Sequence, residues 1–165
     1  MEFQSAHSAL KWSYRIMATD LCKVSSIYAM GGRDAARNLT GQEQHGQAAM
    51  IVGSVTRAVG EGSHCHAYLL MQYGRDARLI DVLVRYLAAG MTTGFNSRRA
   101  IEKCVRSYCG QTIGINAVCA DLRIRKADAL EYRRDMHARL DVLHRNTMAA
   151  AEDTLRVAGL IEDAA

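Results

Sequence analysis

Two groups of side chains in this chain are spaced to do chemistry. One is the triplet His64, Cys65 and His66, with Cys104 and Cys109 as further thiols that could join it. Imidazoles and thiolates are zinc ligands, and a thiolate beside an imidazole is also the inventory of a nucleophilic enzyme. The other group is the stretch from Arg123 to Arg134, RIRKADALEYRR, which holds five Arg or Lys in twelve residues. Guanidinium forks fit phosphate oxygens and guanine edges, so the chemistry there is recognition of nucleic acid.

The first group fails on geometry. A zinc site needs four ligands converging at about 2.0–2.3 Å. Neighbouring residues on a helix point about 100° apart, so His64 and Cys65 do not easily converge, which argues against a metal site without excluding one. Cys104 and Cys109 are five apart and fall on different faces of their helix. No cysteine sits in a nucleophile elbow. The glycine-rich GGRDAARNLTG lacks the Gly-Lys-Ser/Thr of a phosphate cradle. His137 and His144, seven apart on one helix face, read as surface histidines. The residues therefore argue for a protein that is not an enzyme, with no metal and no cofactor.

The second group has the spacing of a helix-turn-helix. That motif needs a first helix with a buried stripe, a tight turn, and a second helix whose start is bare. Ile115, Val118, Cys119 and Leu122 make the stripe, Ala120 is small, and Ile124 plugs the turn into the core. Ala127 and Leu130 dock the second helix inward, which leaves Arg123, Arg125, Lys126, Asp128, Glu131, Arg133 and Arg134 at or near the exposed side. The start of the second helix normally reaches base edges, so Lys126, Asp128, Ala129 and Tyr132 are the base-reading candidates. Arg123, Arg125, Arg133 and Arg134 are the phosphate contacts, which position the module without specifying sequence.

The elements that must hold this pair follow from apolar spacing. Ala6 to Met17 reads as a helix anchored by Trp12, and Thr19 or Asp20 caps a second helix through Ala29. Met30 to Gly46 reads as the main surface loop. Gln47 to Val59 is helical, with Ala48, Ile51, Val52, Val55 and Val59 inward. After GEGS, Ser63 caps a helix from His64 to Tyr73 with Ala67, Leu69, Leu70 and Tyr73 inward, and Gly74 ends it. Leu79 to Ala89 is stopped by Gly90, and MTTGFN is a loop. Ser97 then caps a helix that buries Ala100, Ile101, Cys104, Val105 and Tyr108, and Gly110 ends it. Ile115 to Leu122 is followed by the RIR break. Lys126 opens a run without Gly or Pro until Gly159. Met136, Leu140, Leu143, Thr147, Ala150, Thr154 and Val157 form a heptad-like seam along that run. Such a seam calls for a partner helix, from the same chain or from a second copy.

The absence of proline and the scarcity of Phe and Trp disfavour a sandwich or barrel. The fold class expected is all-α, a helical bundle with a helix-turn-helix followed by a long C-terminal helix. Residues 1–125 form the bundle, including the first helix of the pair. Residues 126–165 form the recognition helix and its continuation, and the two parts are expected to make one domain in a chain of 165 residues. The net charge of +4 is concentrated: Ser97 to Arg145 carries eleven Lys or Arg against six Asp or Glu, out of 21 and 17 in all. A local cationic surplus is the footprint of a phosphate-facing surface. Five cysteines without a signal peptide point to a reducing cytoplasm, and no apolar run approaches the roughly 20 residues of a membrane span.

The order of segments carries a resemblance. HGQAAMIVGSVTRA, HAYLLMQYG, LIDVLVRYLAAGM and RSYCGQTIGINAVCADLRIRKADALEYRRDMHARL follow one another as in phage Q-type late-gene antiterminators and activators. The DNA-binding part of those proteins is similar to the promoter-reading C-terminal region of sigma factors. Tyr108, Gly110 and Ile113 match the lead into their helix-turn-helix, and Ala117, Leu122 and Ile124 match its core. The likeness covers roughly residues 44 to 145. SALKWSYRIM and SRRAIEKCVRSYCGQTIG also resemble uncharacterised proteobacterial phage and prophage proteins, which implies a phage setting. The resemblance implies a transcription regulator that binds duplex DNA and contacts host RNA polymerase. Two features depart from it. Arg123 and Arg125 stand where those turns carry Ser or Thr, and the last helix is longer than a sigma-like domain needs. The second departure motivates a rival reading, a non-enzymatic assembly or adaptor module, small-terminase-like, that forms homo-oligomers through the long helix.

Overall fold

The computed structural model describes residues 3–19, 41–91 and 97–161. The chain is all-α. Its helices are α1 (Ala6–Met17), α2 (Gly41–Val59), α3 (His64–Leu69, running on into a π-helical turn Leu70–Gly74), α4 (Ile80–Ala89), α5 (Arg98–Tyr108), α6 (Ile115–Leu122) and α7 (Lys126–Val157). Among the described residues the extended pairing is one isolated parallel bridge, Phe3 to Ile161. No helix among them is long and apolar enough to cross a membrane. The chain forms two compact units, residues 1–61 with 148–165, and residues 62–147. Helix α7 up to Leu143 supplies side chains to the core of the second unit.

In the first unit, Ser5 and Ser8 cap α1 reciprocally. The Ser8 amide donates to Ser5 Oγ at 3.3 Å, and the Ser5 amide donates to Ser8 Oγ at 3.2 Å. The buried stripe of α1 is Ala6, Ala9, Leu10, Ser13 and Tyr14. Trp12 lies off that stripe, half-buried, with its ring 5.5 Å from that of Phe3, so it is not the core anchor its size suggested. Ser13 is buried without penalty because its hydroxyl donates to the Ala9 carbonyl at 2.8 Å. Small residues on α1 let it pack closely on α2, which buries Gln44, Ala48, Ile51 and Val55. That helix begins at Gly41, six residues before the expected start, so the surface loop does not reach Gly46. The expected helix from Asp20 to Ala29 and the loop from Met30 to Thr40 lie outside the described residues.

The second unit is built on one apolar cluster. Ala67, Tyr68 and Met71 enter it from α3 and its π turn, and Ile80, Leu83, Val84 and Leu87 from α4. Ala100, Ile101, Cys104 and Val105 come from α5, and Val118 and Leu122 from α6. Ala129, Tyr132, Met136, Leu140 and Leu143 complete it from α7. The partner for this half of the seam is thus the same chain. Ser63 and Ser97 cap α3 and α5 as expected, accepting from His66 N–H at 3.1 Å and Ala100 N–H at 3.3 Å. Two details differ. The π turn carries Leu70 and Tyr73 off the inward stripe, leaving Tyr68 and Met71 there. The left-handed residue that ends this segment is Arg75, at φ 52°, and not Gly74.

The seam also changes phase. Met136, Leu140, Leu143 and Thr147 are buried, but the next buried residues are Met148, Ala151 and Leu155. Ala150 and Thr154 are half-buried and Val157 is 91% exposed. An α-helix turns every 3.6 residues, so a strict seven-residue repeat drifts about 20° per heptad, and the buried stripe steps over by one position to follow it.

Candidate nucleic-acid interface

The break between α6 and α7 comes from one residue, Arg123, at φ 55° and ψ 43°. Its amide donates to the Cys119 carbonyl, and the Ile124 amide reaches the same carbonyl at 3.3 Å. This six-residue closure is the usual helix stop, with arginine where glycine is the cheap choice. Ile124 packs against the core beside Cys119, as the turn plug should. Arg125 then opens α7, its carbonyl accepting from Ala129 N–H at 3.0 Å. The two helices are therefore separate and not one fused rod. The α6 stripe is as read: Val118 and Leu122 are buried, and Ile115 and Cys119 pack against the core.

The phase of α7 is not as read. Ala129 is fully buried and Tyr132 is 7% exposed, both inside the core cluster. The Tyr132 hydroxyl lies 3.9 Å from the Met91 sulfur, and burial pushes its pKa up to about 12. Neither can reach a base edge from there, so both are corrected from base-reading to core residues. Conversely, Ala127 is exposed and Leu130 is 39% exposed, so neither docks inward. The whole face is turned by about one residue because the helix continues the Met136 stripe toward its own start.

The other site residues divide by what holds them. Arg123, Arg125, Lys126 and Arg134 are exposed. Arg125 pairs with Asp128, Nε to Oδ2 at 3.2 Å, which makes half-buried Asp128 a partner of the turn and a favourable charge in the first turn of α7. Arg133 is half-buried and acts electrostatically on Cys104 and His137. Arg123, Lys126 and Arg134 make no ion pair among the described residues. The bare leading face of α7 is thus Lys126, Ala127, Leu130, Glu131 and Arg134.

Below that face α7 carries a cluster that the spacing of its histidines did not reveal. His144 and His137 are half-buried and not surface residues. His144 Nδ1 is 2.8 Å from the Tyr68 hydroxyl, and Tyr108 donates to Asp141 at 2.7 Å. The Tyr108 and His137 rings meet edge-on at 5.4 Å. His137 Nε2 is buried without a hydrogen-bond partner. Burial, followed by the nearby Arg133 charge, lowers the His137 pKa against the opposing effects of the Cys104 backbone and Asp141. Burial raises the pKa of Tyr68 and Tyr108 well above the ordinary tyrosine range. The group braces α7 against α3 and α5.

The His64-Cys65-His66 triplet is taken up by packing. His66 Nδ1 accepts the Gly62 amide at 3.0 Å, and the His64 ring stacks on Tyr86 at 4.4 Å. Burial pushes the Cys104 and Cys109 thiols up to about 11, away from the thiolate that ligates or attacks. Among the described residues no three His, Cys, Asp or Glu gather to hold a metal ion. Compared with known protein families, with curated proteins and with solved structures, the chain matches none.

Proposed function

We propose that this chain is a non-catalytic, phage-type transcription regulator that binds duplex DNA with the α6–α7 pair. The observation that carries the reading is the bare leading face of α7. Lys126, Ala127, Leu130 and Arg134 stand out of the core on a helix that begins after a sharp left-handed break, flanked by Arg123 and Arg125. Lys126 fits guanine O6 and N7, and the small apolar Ala127 fits a thymine methyl. Arg123, Arg125 and Arg134 contact phosphates. Contact with host RNA polymerase, in the manner of the late-gene antiterminators the sequence resembles, belongs to the same reading.

Duplex affinity measured across salt tests it. Each neutralised phosphate contributes about −0.9 to the slope of log K against log salt. Arg134→Ala should make the slope shallower by about 0.9 and weaken all sequences alike, whereas Lys126→Ala should change preference. Salt-insensitive binding, or none, by the intact chain overturns the proposal. The seam from Met136 to Leu143 packs within its own unit, which removes part of the motive for the assembly reading.

A further inference from the structure

A cleft of about 330 Å³ is lined by Arg99, Glu102, Lys103 and Arg106 of α5 and by Ile113, just ahead of α6. The four α5 residues sit three and four apart, on one face of the helix. Two of the cations are fixed by the fold. Lys103 Nζ lies 2.7 Å from Asp121 Oδ2 and donates to the Ala117 carbonyl at 3.0 Å, which ties α5 to α6. Arg106 makes two hydrogen bonds to Glu102 Oε1, from Nε at 2.9 Å and Nη2 at 2.8 Å. Arg99 is different. It is exposed and makes no ion pair among the described residues. It also stands in the first turn of α5, where the positive end of the helix dipole disfavours a cation. Among the described residues, nothing rewards a positive charge at that position.

The cleft lies at one end of α6 and the Arg123 turn at the other. Gly114, next to Ile113, is the N-cap of α6 and supplies no side-chain cap; the Ala117 amide turns back to the Gly114 carbonyl at 3.1 Å, so among the described residues the Ile115 and Asn116 amides are left for an outside acceptor. Asn116, Ala120 and Arg123 are exposed and recur four and three apart, a continuous face between the two ends. Eight residues of helix span about 12 Å. The major groove is also about 12 Å wide.

We infer that this cleft is a second anion site, which holds a backbone phosphate of the bound duplex through Arg99, on the opposite side of the major groove from the phosphate at Arg123. The inference rests on the DNA-binding reading above and adds to it a contact on a helix outside the α6–α7 pair. Glu102 is then the restraint on the site, since its carboxylate neutralises Arg106.

The test measures the affinity of the full chain for one duplex between 50 and 200 mM salt, for the wild type, Arg99→Ala, Arg99→Lys, Glu102→Gln and Arg134→Ala. Losing one phosphate contact lowers the slope by about 0.9, so the affinity lost over that range shrinks about 3.5-fold. Arg99→Ala should show that change, and Arg99→Lys should keep the wild-type slope. Glu102→Gln should bind several-fold more tightly, a gain that misfolding cannot mimic. If Arg134→Ala lowers the slope while Arg99→Ala and Glu102→Gln leave slope and affinity unchanged, the cleft is overturned and the DNA-binding reading stands. If the wild type shows no salt-dependent binding, both fall.

Discussion

Replacing Arg123 by glycine should make the protein more stable and a poorer DNA binder at once. Arg123 holds φ 55°, a left-handed conformation that costs an L-residue about 1–2 kcal/mol. Glycine removes that cost but adds about 0.4–1 kcal/mol of unfolded-chain entropy. The net gain should be about 1 kcal/mol, or roughly 2–4 °C in Tm for a chain of this size. The turn itself is kept, because both hydrogen bonds to the Cys119 carbonyl come from backbone amides and not from the arginine side chain. Arg75, at φ 52°, provides the control: Arg75→Gly should give the same gain in stability and leave DNA binding alone. Arg123→Ala should keep the strain, so its stability stays near wild type while the contact is lost. Denaturant melts and salt titrations on the four proteins read both quantities. Arg123→Gly and Arg123→Ala should each lower the salt slope by about 0.9. Destabilisation by both glycine variants would refute the backbone reasoning. An unchanged slope in both Arg123 variants would refute the contact.

Three further outcomes follow from buried groups. Among the described residues Thr147 Oγ1 is buried without a partner, so Thr147→Val, which keeps the shape and removes the hydroxyl, should raise stability by about 1 kcal/mol in a denaturant melt. Since folding lowers the His137 pKa, its contribution is fully present above the ordinary value of about 6.5 and is lost as pH falls through the folded pKa. His137→Leu should therefore flatten the fall in Tm between pH 7 and pH 5, and an unchanged pH profile would show that His137 is not its source. Ala129→Leu should destabilise by about 1–3 kcal/mol through overpacking, whereas Ala127→Leu on the bare face should melt within about 0.5 kcal/mol of wild type.

Much of the second unit was legible in the sequence because its stops are local. Ser63, Ser97 and Gly110 act within a few residues of themselves, and α6 and the start of α7 fall where the RIR break puts them. What was misread is phase. The apolar Ala127 and Leu130 suggest an inward face, although Met136 and Leu140 are the firmer markers. Stepping back from Met136 by four and then three lands on Tyr132 and Ala129, which are the buried pair. That signal was present, and it outranked the preference for Leu over Ala or Tyr inside a core. The early start of α2 was hidden by Gly41 and Gly46, residues that discourage helix locally but are carried by the buried Gln44 and Ala48 between and after them. The cleft at Arg99 had no marker in sequence, because it depends on α5 lying beside α6.

The corrected phase limits how this interface can vary. One helix serves both the core and the proposed contact surface, and the two uses divide its first turns residue by residue. Ala129, Tyr132 and Met136 are committed to the cluster that also takes Cys104, Val118 and Leu122, so changes there act on stability first. Asp128 is held by Arg125, and the Arg133 charge acts on Cys104 and His137. Lys126, Ala127, Leu130, Glu131 and Arg134 are exposed, so substitutions there, where the proposed preference would lie, leave the core untouched. Arg99 and Arg123 lie outside that set, and each stands where a cation or a side chain is disfavoured locally. In the proposed reading, backbone phosphate is the ligand that suits both arginines. The proposed recognition surface is thus narrower than the basic stretch, and its proposed anchoring is wider.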